Sequence, residues 1–432
     1  MKVTLVTVGS RGDTEPYVAL GAALKRAGHT VRVAACEPFR EYVRSHGLPF
    51  AALGGDIKAI VGDEGRAALL GAATNPINAG QALRKYVGPL VEEAHGRLVS
   101  AVSGSDVVIG QMLVPGASAC AESKGMLYLE AAYVPALPTR EFANPGAPPN
   151  TRPGVVSYAT HLIAEQVFWQ AFRPLVNAFR ERELGLGKAP FWGAPMFQTS
   201  RRPPMLFAVS PTVVKRPLDW PETAFMKGYW FLEPPLGWEP DSRLVDFLGS
   251  GKPPVYIGFG SMTVEEPEKL TRTVIEAVRK AGKRAVLSTG WGTLSEEKEG
   301  EDIFFVKDVP HGWLFPRVEA AIHHGGSGTT AAAFRAGIAQ MAVPFLADQP
   351  FWGDRVEKLG VGPAPVAIGK VTVENLTRGL ERLSDGAVKD RARRVGEKIR
   401  AERGVEEMVE VVERLADKHR AGKMSGMGRR LF

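Results

Sequence analysis

Cysteine is scarce in this chain. Only Cys36 and Cys120 occur in 432 residues, too few for a disulfide framework, and neither has Cys or His neighbours spaced for a zinc site. That usage fits a reducing compartment and points to a cytoplasmic protein. No apolar run reaches the length of a membrane span. Met1 to Val8 is apolar but short and runs straight into Gly9-Ser10-Arg11-Gly12-Asp13, which reads as a first strand and turn rather than a signal peptide. Three signatures are missing as well: G-x-x-x-x-G-K-[ST], a dinucleotide G-x-G-x-x-G between strand and helix, and D-x-D. The formal charge is +7, yet no dense basic block carries interleaved aromatics, so nucleic acid is not an expected partner. Much of the excess lies from Lys389 onward, where thirteen Lys/Arg face eight Asp/Glu. A solvated basic helix face, with at most a weak pull toward anionic membrane surfaces, is the simplest reading.

What is present is a globular α/β chain. Its length exceeds one ordinary core, so two domains are expected. Strand and helix patterns alternate in the first half: Lys2–Val8, a helix over Glu15–Ala27, Val31–Ala35, Asp106–Gly110 and Met126–Ala131. The second half repeats the alternation through Val255–Phe259, Ala285–Ser288, Ile303–Val306, Val318–His323 and Gln340–Phe345. Both halves predict doubly wound parallel sheets. The expected boundaries are 1–212 for the first domain, 213–240 for a proline-rich linker, 241–388 for the second domain, and 389–432 for helices crossing back to the first. Ile57–Ser100 reads as helical and Pro135–Pro153 as a mobile loop. Tyr158–Phe197 is rich in aromatics, including Phe168, Trp169 and Phe172. Such stripes are core more often than not; the alternative is an apolar wall for a large greasy ligand.

The most informative stretch is His323-His324-Gly325-Gly326-Ser327-Gly328-Thr329-Thr330. A buried strand precedes it and an Ala-rich helix follows. Free backbone N–H groups and the positive end of a helix dipole would meet any anion there, and a diphosphate suits the site well. A plain glycine turn with a serine cap explains the same residues. In open α/β sheets ligands bind beyond the carboxyl ends of strands. Four polar clusters fall there: Gly9 to Asp13, Gly260-Ser261, His324 to Thr329, and Asp348-Gln349. If the halves face each other, Asp13 looks across a cleft at the other three. Without D-x-D, a departing diphosphate must be neutralised by Ser261, His324, backbone N–H groups and the helix dipole, which argues for chemistry without a metal. Asp13 also suits a helix N-cap. Arg11 fits a salt bridge at least as well as a phosphate. His311 and His323 lack a third ligand and read as packed or hydrogen-bonded, and His29 as a helix-end residue.

Gly9-Ser10-Arg11-Gly12-Asp13-Thr14-Glu15-Pro16 resembles the first loop of the family 1, GT-B-fold glycosyltransferases, especially the vancomycin-type antibiotic enzymes and the sterol glucosyltransferases. Val255 to Met262, Val309 to Pro316 and His323 to Pro365 resemble the sterol enzymes. The resemblance implies a GT-B fold, two Rossmann-like parallel-sheet domains facing a cleft. It implies that His324, Gly326, Ser327, Gly328 and Thr329 hold the diphosphate of a nucleotide sugar, with Ser261 reaching a phosphate from the other side. Val309 would meet the base through its backbone, and Asp348 and Gln349 would bind hydroxyls of the donor sugar. Asp13 would be the general base, where many relatives carry His. An aspartate is a weak base, so that role requires an apolar acceptor nearby and a hydroxyl that has largely lost its proton in the transition state.

The expected activity is therefore inverting transfer of a hexose, glucose from UDP-glucose, to a hydroxyl of a sterol, polycycle or macrocycle. Phe168, Trp169 and Phe172 are the candidate acceptor wall. No cofactor or metal is expected beyond the nucleotide-sugar co-substrate, and the protein is expected as a monomer or weak dimer. Two rivals remain. An antibiotic-type enzyme would take a dTDP-deoxysugar, and a non-catalytic helper would have lost the base or the phosphate clamp.

Overall fold

The computed structural model describes residues 1–56, 62, 64–65, 68, 75–148, 150–193, 202–262, 264–290, 292–296 and 300–424. Among them, β1 (Lys2–Val6), β2 (Thr30–Cys36), β3 (Phe50–Gly54), β4 (Val107–Gln111), β5 (Leu127–Ala132), β6 (Met205–Phe207) and β7 (Ala224–Met226) form one sheet. Their order is β3-β2-β1-β4-β5-β6-β7. A second sheet holds β8 (Val255–Gly258), β9 (Ala285–Ser288), β10 (Ile303–Val306), β11 (Ala320–His323) and β12 (Ala339–Ala342), in the order β10-β9-β8-β11-β12. All pairings are parallel; Val3 sits between Val31 and Val107, and Ile257 between Leu287 and Ile322. The order reverses direction between β1 and β4 in one sheet and between β8 and β11 in the other. Those are the switch points where ligands of such sheets bind.

Both faces of each sheet are covered, which is why the strands read as apolar runs rather than alternations. In the first sheet Leu5 points into a core with Leu20 and Leu24 of α1 (Arg11–Arg26). Its neighbour Val6 points the other way, into a core with Leu90, Val91 and Leu98 of α2 (Gly88–Ala101) and Phe172 of α3 (Val155–Arg182). The second half adds α4 (Ser327–Ala336), α5 (Gln349–Lys358) and α6 (Gly386–Ala401), followed by α7 (Gly404–Met424). A further apolar cluster joins the halves: Leu137, Phe142, Phe207 and Val209 meet Phe334, Trp352, Val356 and Ile399.

Several boundaries move from those expected. β7 lies inside the expected linker, because Ala224–Met226 pairs in register with Met205–Phe207 and extends the first sheet. The crossing back begins at Gly404 rather than Lys389. Ala392 and Ile399 of α6 stay in the cluster between the halves, while Met408, Val409 and Val412 of α7 pack beside Tyr17 and Leu20 of α1. Within Ile57–Ser100, helices occupy Pro76–Ala82 and Gly88–Ala101, joined by a π-turn at Leu83–Val87; most of 57–74 lies outside the described residues. The Pro135–Pro153 segment is tethered: Asp219 accepts from Thr139 Oγ1 at 2.7 Å and from the Arg140 N–H at 2.9 Å. No helix among the described residues is long and apolar enough to cross a membrane.

Candidate active site

Asp13 sits in the first turn of α1, which begins at Arg11 rather than at Glu15 as the sequence pattern suggests. Ser10 is the N-cap, and Asp13 reaches back to it: its Oδ2 accepts from the Ser10 N–H at 2.6 Å and from Ser10 Oγ at 2.7 Å. A capping role is thus present, and it uses one carboxylate oxygen only. The chain can fold so tightly because residue 9 is glycine, at φ +130°, and any Cβ there would collide with the Asp13 carboxylate. The other oxygen, Oδ1, accepts from Tyr133 Oη and, at 3.2 Å, from Gln111 Nε2. Gln111 ends β4 and Tyr133 follows β5, so three neighbouring strand ends converge on one carboxylate.

The second half presents the glycine loop. Its first α4 hydrogen bond runs from the Thr330 N–H to Gly326 O at 3.0 Å. The N–H groups of Ser327, Gly328 and Thr329 are therefore the unpaired donors of the first turn. The Ser327 hydroxyl is already committed: it donates to Tyr133 O at 2.9 Å, across the cleft. Only its main chain remains for an anion. His324 lies between Gly260 and Gly326, where a Cβ at either glycine would strike its ring. Its Nδ1 is buried and has no hydrogen-bond partner. Burial, with His323 and His311 nearby, pushes His324 down to about 3, so the ring is neutral near pH 7. Ser261 follows Gly260 in the same turn beyond β8, half-buried.

His323 and His311 are structural. His323 Nδ1 accepts the Gly325 N–H at 3.0 Å, so its Nε2 carries the proton and donates to Gln340 Oε1 at 2.8 Å. The His311 ring stacks on Phe315 at 4.5 Å. Val309 is half-buried beyond β10. Its neighbour Asp308 pairs with Arg11, which also holds Glu15 at 3.2 Å. Arg11 is therefore an ion-pair clasp between the halves. His29 joins α1's end to Glu413 of α7 at 2.9 Å.

Asp348 N-caps α5 in position, and its Oδ2 accepts from Trp352 Nε1 at 2.7 Å. Burial raises Asp348 to about 6, and the charge of Asp13 adds to the rise, so the two carboxylates share one cleft. Ala347, just before it, has φ 54°, a left-handed backbone that a non-glycine residue adopts at some cost. Gln349 Oε1 accepts from the N–H groups of Phe345 at 2.7 Å and Leu346 at 3.1 Å. That carbonyl holds its own loop, leaving only the amide NH2, now 3.3 Å from Met262 Sδ, to offer a ligand.

Phe168, Trp169 and Phe172 do not form an open wall. They are 7%, 1% and 0% exposed, because their helical spacing turns them inward onto α2. Trp169 Nε1 donates to Phe191 O at 3.0 Å. Phe191 and Trp192 are exposed, and Phe197 lies outside the described residues. Gln111, Tyr133 and Asp308 are site residues that the sequence reading passes over. The signal was available: each follows or ends an apolar strand run, the same rule that marks Asp13 and His324.

Two parallel-sheet domains of these strand orders, opposed across a cleft, define the GT-B fold. The solved glycosyltransferase VinC, in complex with dTDP, superposes with a TM-score of 0.69 at 19% identity, covering 97% of this chain and all of that one. The kitacinnamycin glycosyltransferase does so at 0.67 and 18%, covering 96% of this chain and 98% of its own. Residues 3–143 match the glycosyltransferase family 28 N-terminal domain, and residues 297–415 the erythromycin biosynthesis protein CIII-like C-terminal domain. The chain thus has the GT-B fold, and its first domain matches a glycosyltransferase family model. It is similar to a sterol 3-beta-glucosyltransferase of Cryptococcus neoformans, 37% identical over 96% of this chain and 27% of that protein. It is also similar to the Arabidopsis thaliana sterol 3-beta-glucosyltransferase, 34% identical over 94% of this chain and 64% of that protein. The chain thus spans only part of the length of these relatives.

Proposed function

We propose that this chain is an inverting, metal-independent hexosyltransferase that moves glucose from UDP-glucose to a hydroxyl of a lipophilic, sterol-like acceptor. The observation that carries the reading is the continuous link from base to anion loop: Asp13 Oδ1 to Tyr133 Oη, and Tyr133 O to Ser327 Oγ. A carboxylate on one half is held against a helix N-terminus on the other.

In this reading the donor diphosphate lies on the N–H groups of Ser327, Gly328 and Thr329, beside Gly326, with Ser261 opposite. His324, neutral, adds a ring N–H donor, and its unpartnered Nδ1 is the polar atom the resting site leaves unsatisfied. Val309 meets the uracil through its backbone. Asp348, with one oxygen free of Trp352, and the Gln349 amide meet sugar hydroxyls. Asp13 takes the proton of the acceptor hydroxyl as its oxygen attacks the anomeric carbon. The bond from that carbon to the diphosphate oxygen breaks on the opposite face, so an α-donor gives a β-product. No step calls for a metal, because helix dipole and N–H groups meet the charge that leaves.

The likeness to sterol 3-beta-glucosyltransferases over nearly the whole chain supports the acceptor class and the donor sugar. A dTDP-deoxysugar remains the second reading, and one observation favours keeping it. Gln349 Oε1 is satisfied by Phe345 and Leu346, so loss of a sugar hydroxyl would not strand that carbonyl. The test is incubation with UDP-glucose or dTDP-sugars and a 3-hydroxysterol, with product mass and anomeric coupling read by mass spectrometry and NMR. A β-glucoside from UDP-glucose is the expected product. An α-product, or turnover with dTDP-deoxysugars only, overturns the assignment.

A further inference from the structure

The carboxylate of Asp13 is fully occupied. A carboxylate offers about four lone-pair sites, and four donors face this one: the Ser10 N–H, Ser10 Oγ, Gln111 Nε2 and Tyr133 Oη. The donor directions are settled by one group that can only donate. The Val8 N–H points at Gln111 Oε1 at 2.9 Å, and Thr7 Oγ1 joins it at 3.0 Å. That fixes the amide orientation, so Gln111 Nε2 must donate, to Asp13 Oδ1 and also to Tyr133 Oη at 3.3 Å. Tyr133 receives from Gln111 and gives its own proton to Asp13. No lone pair of the base is left for a substrate hydroxyl.

One of these donors has to yield before Asp13 can take a proton. The Ser10 N–H is main chain in the cap of α1, and Ser10 Oγ lies on the same Oδ2, the oxygen turned into that cap. Gln111 is pinned at its carbonyl by two donors. Among the described residues, Tyr133 Oη is held only by its contacts with Asp13 and Gln111, and it lies on Oδ1. That oxygen faces the donor half: the Tyr133 main chain carries Ser327, the charge of Asp348 bears on Tyr133, and that of Asp13 bears on Asp348.

We propose that the Tyr133 hydroxyl is a cap on the base, seated where the acceptor hydroxyl must sit, and that it discriminates the acceptor from water. The inference rests on the transferase reading above. A lipophilic acceptor that displaces the phenol replaces one hydrogen bond with another and adds burial of its apolar body. Water offers the exchange of hydrogen bonds and nothing more. With the cap in place, a bound nucleotide sugar waits for its acceptor. Without it, a water can take the seat and pass its proton to Asp13 Oδ1 while its oxygen bonds to the anomeric carbon. The bond to the diphosphate breaks as that bond forms, and free sugar and nucleoside diphosphate result.

The experiment uses Tyr133→Phe, which removes the hydroxyl and keeps the ring and the carbonyl that holds Ser327. UDP-glucose hydrolysis without acceptor, and transfer to a 3-hydroxysterol, are measured for wild type and variant, with dTDP-glucose in parallel. The ratio of hydrolysis to transfer should rise about tenfold, the effect of one hydrogen bond to a charged group. Tyr133→Leu should move the ratio in the same direction. A ratio that stays at the wild-type value overturns the cap, as does a proportional fall in both rates, the mark of a merely structural tyrosine. Absence of any nucleotide-sugar turnover by the wild type would take down the transferase reading and the cap together. An unchanged ratio in an active wild type takes down the cap alone.

Discussion

At pH values where a free imidazole starts to protonate, four histidines of this fold stay neutral, and burial lowers His161 as well. Burial holds His95 and His323 down at about 4, and His311 and His324 at about 3. Their unfolded counterparts titrate near 6.5. As pH falls through that value the unfolded chain takes up protons that the folded one refuses, so stability present above it is lost on acidification. Three carboxylates act in the opposite sense, Glu165 among them, which burial also raises. Burial raises Glu130 to about 7 and Asp348 to about 6, so the folded chain binds their protons first and loses that advantage as pH rises. Five histidines outweigh three carboxylates, and the thermal midpoint should fall between about pH 7 and pH 5. Calorimetry across that range checks the sign, and a midpoint that rises on acidification would show that the carboxylates dominate. At this scale Asp13, Ser261 and His324 were legible as strand-end residues. Gln111 and Tyr133 fell under the same strand-end rule but were passed over, because an amide and a phenol carry no chemical signature of their own until topology brings their strand ends together. Ser327 was legible as a cap-like serine, but not its hydroxyl's commitment to Tyr133.

Among the elements, the unit of strand β11, glycine turn and helix α4 is set by a close approach. Gly326 exists as glycine because the His324 ring occupies the space of its Cβ. Gly326→Ala should push the ring or the turn aside, misplacing the N–H groups of Ser327 to Thr329. UDP affinity should fall by at least about tenfold, as expected when several charge-assisted hydrogen bonds are lost together. Isothermal calorimetry reads it, and unchanged affinity would mean that the diphosphate binds elsewhere. Most strands of both sheets were readable from apolar runs, since parallel strands buried on two faces have few alternatives; β3 was passed over. β7 escaped, because three residues among prolines carry no period, and only pairing with β6 makes them a strand. The aromatic stripe of α3 illustrates the converse. Its spacing reports a buried face correctly and says nothing about which cavity, if any, that face lines.

For the molecule as a whole, several ties among the described residues hold the two halves together. Among them are the apolar cluster around Phe142 and Trp352, the Ser327–Tyr133 hydrogen bond, the Arg11–Asp308 pair, and α7 lying back on α1. The Ser327–Tyr133 bond and the Arg11–Asp308 pair both lie at carboxyl ends of strands, beside Asp13 and the glycine loop. Doubly wound halves and a cleft between them follow from strand–helix alternation. Their relative placement does not, because it depends on side chains from distant segments meeting. The division of labour that results is the central claim: a base on the first half, a diphosphate clamp on the second. Its most direct test is the steady-state rate of Asp13→Asn with UDP-glucose and a 3-hydroxysterol, alongside its affinity for UDP. Loss of general-base catalysis should lower kcat by about 10²–10⁴-fold, with UDP affinity within about twofold of wild type, since the clamp belongs to the other half. Transfer at the wild-type rate by Asp13→Asn would contradict the account.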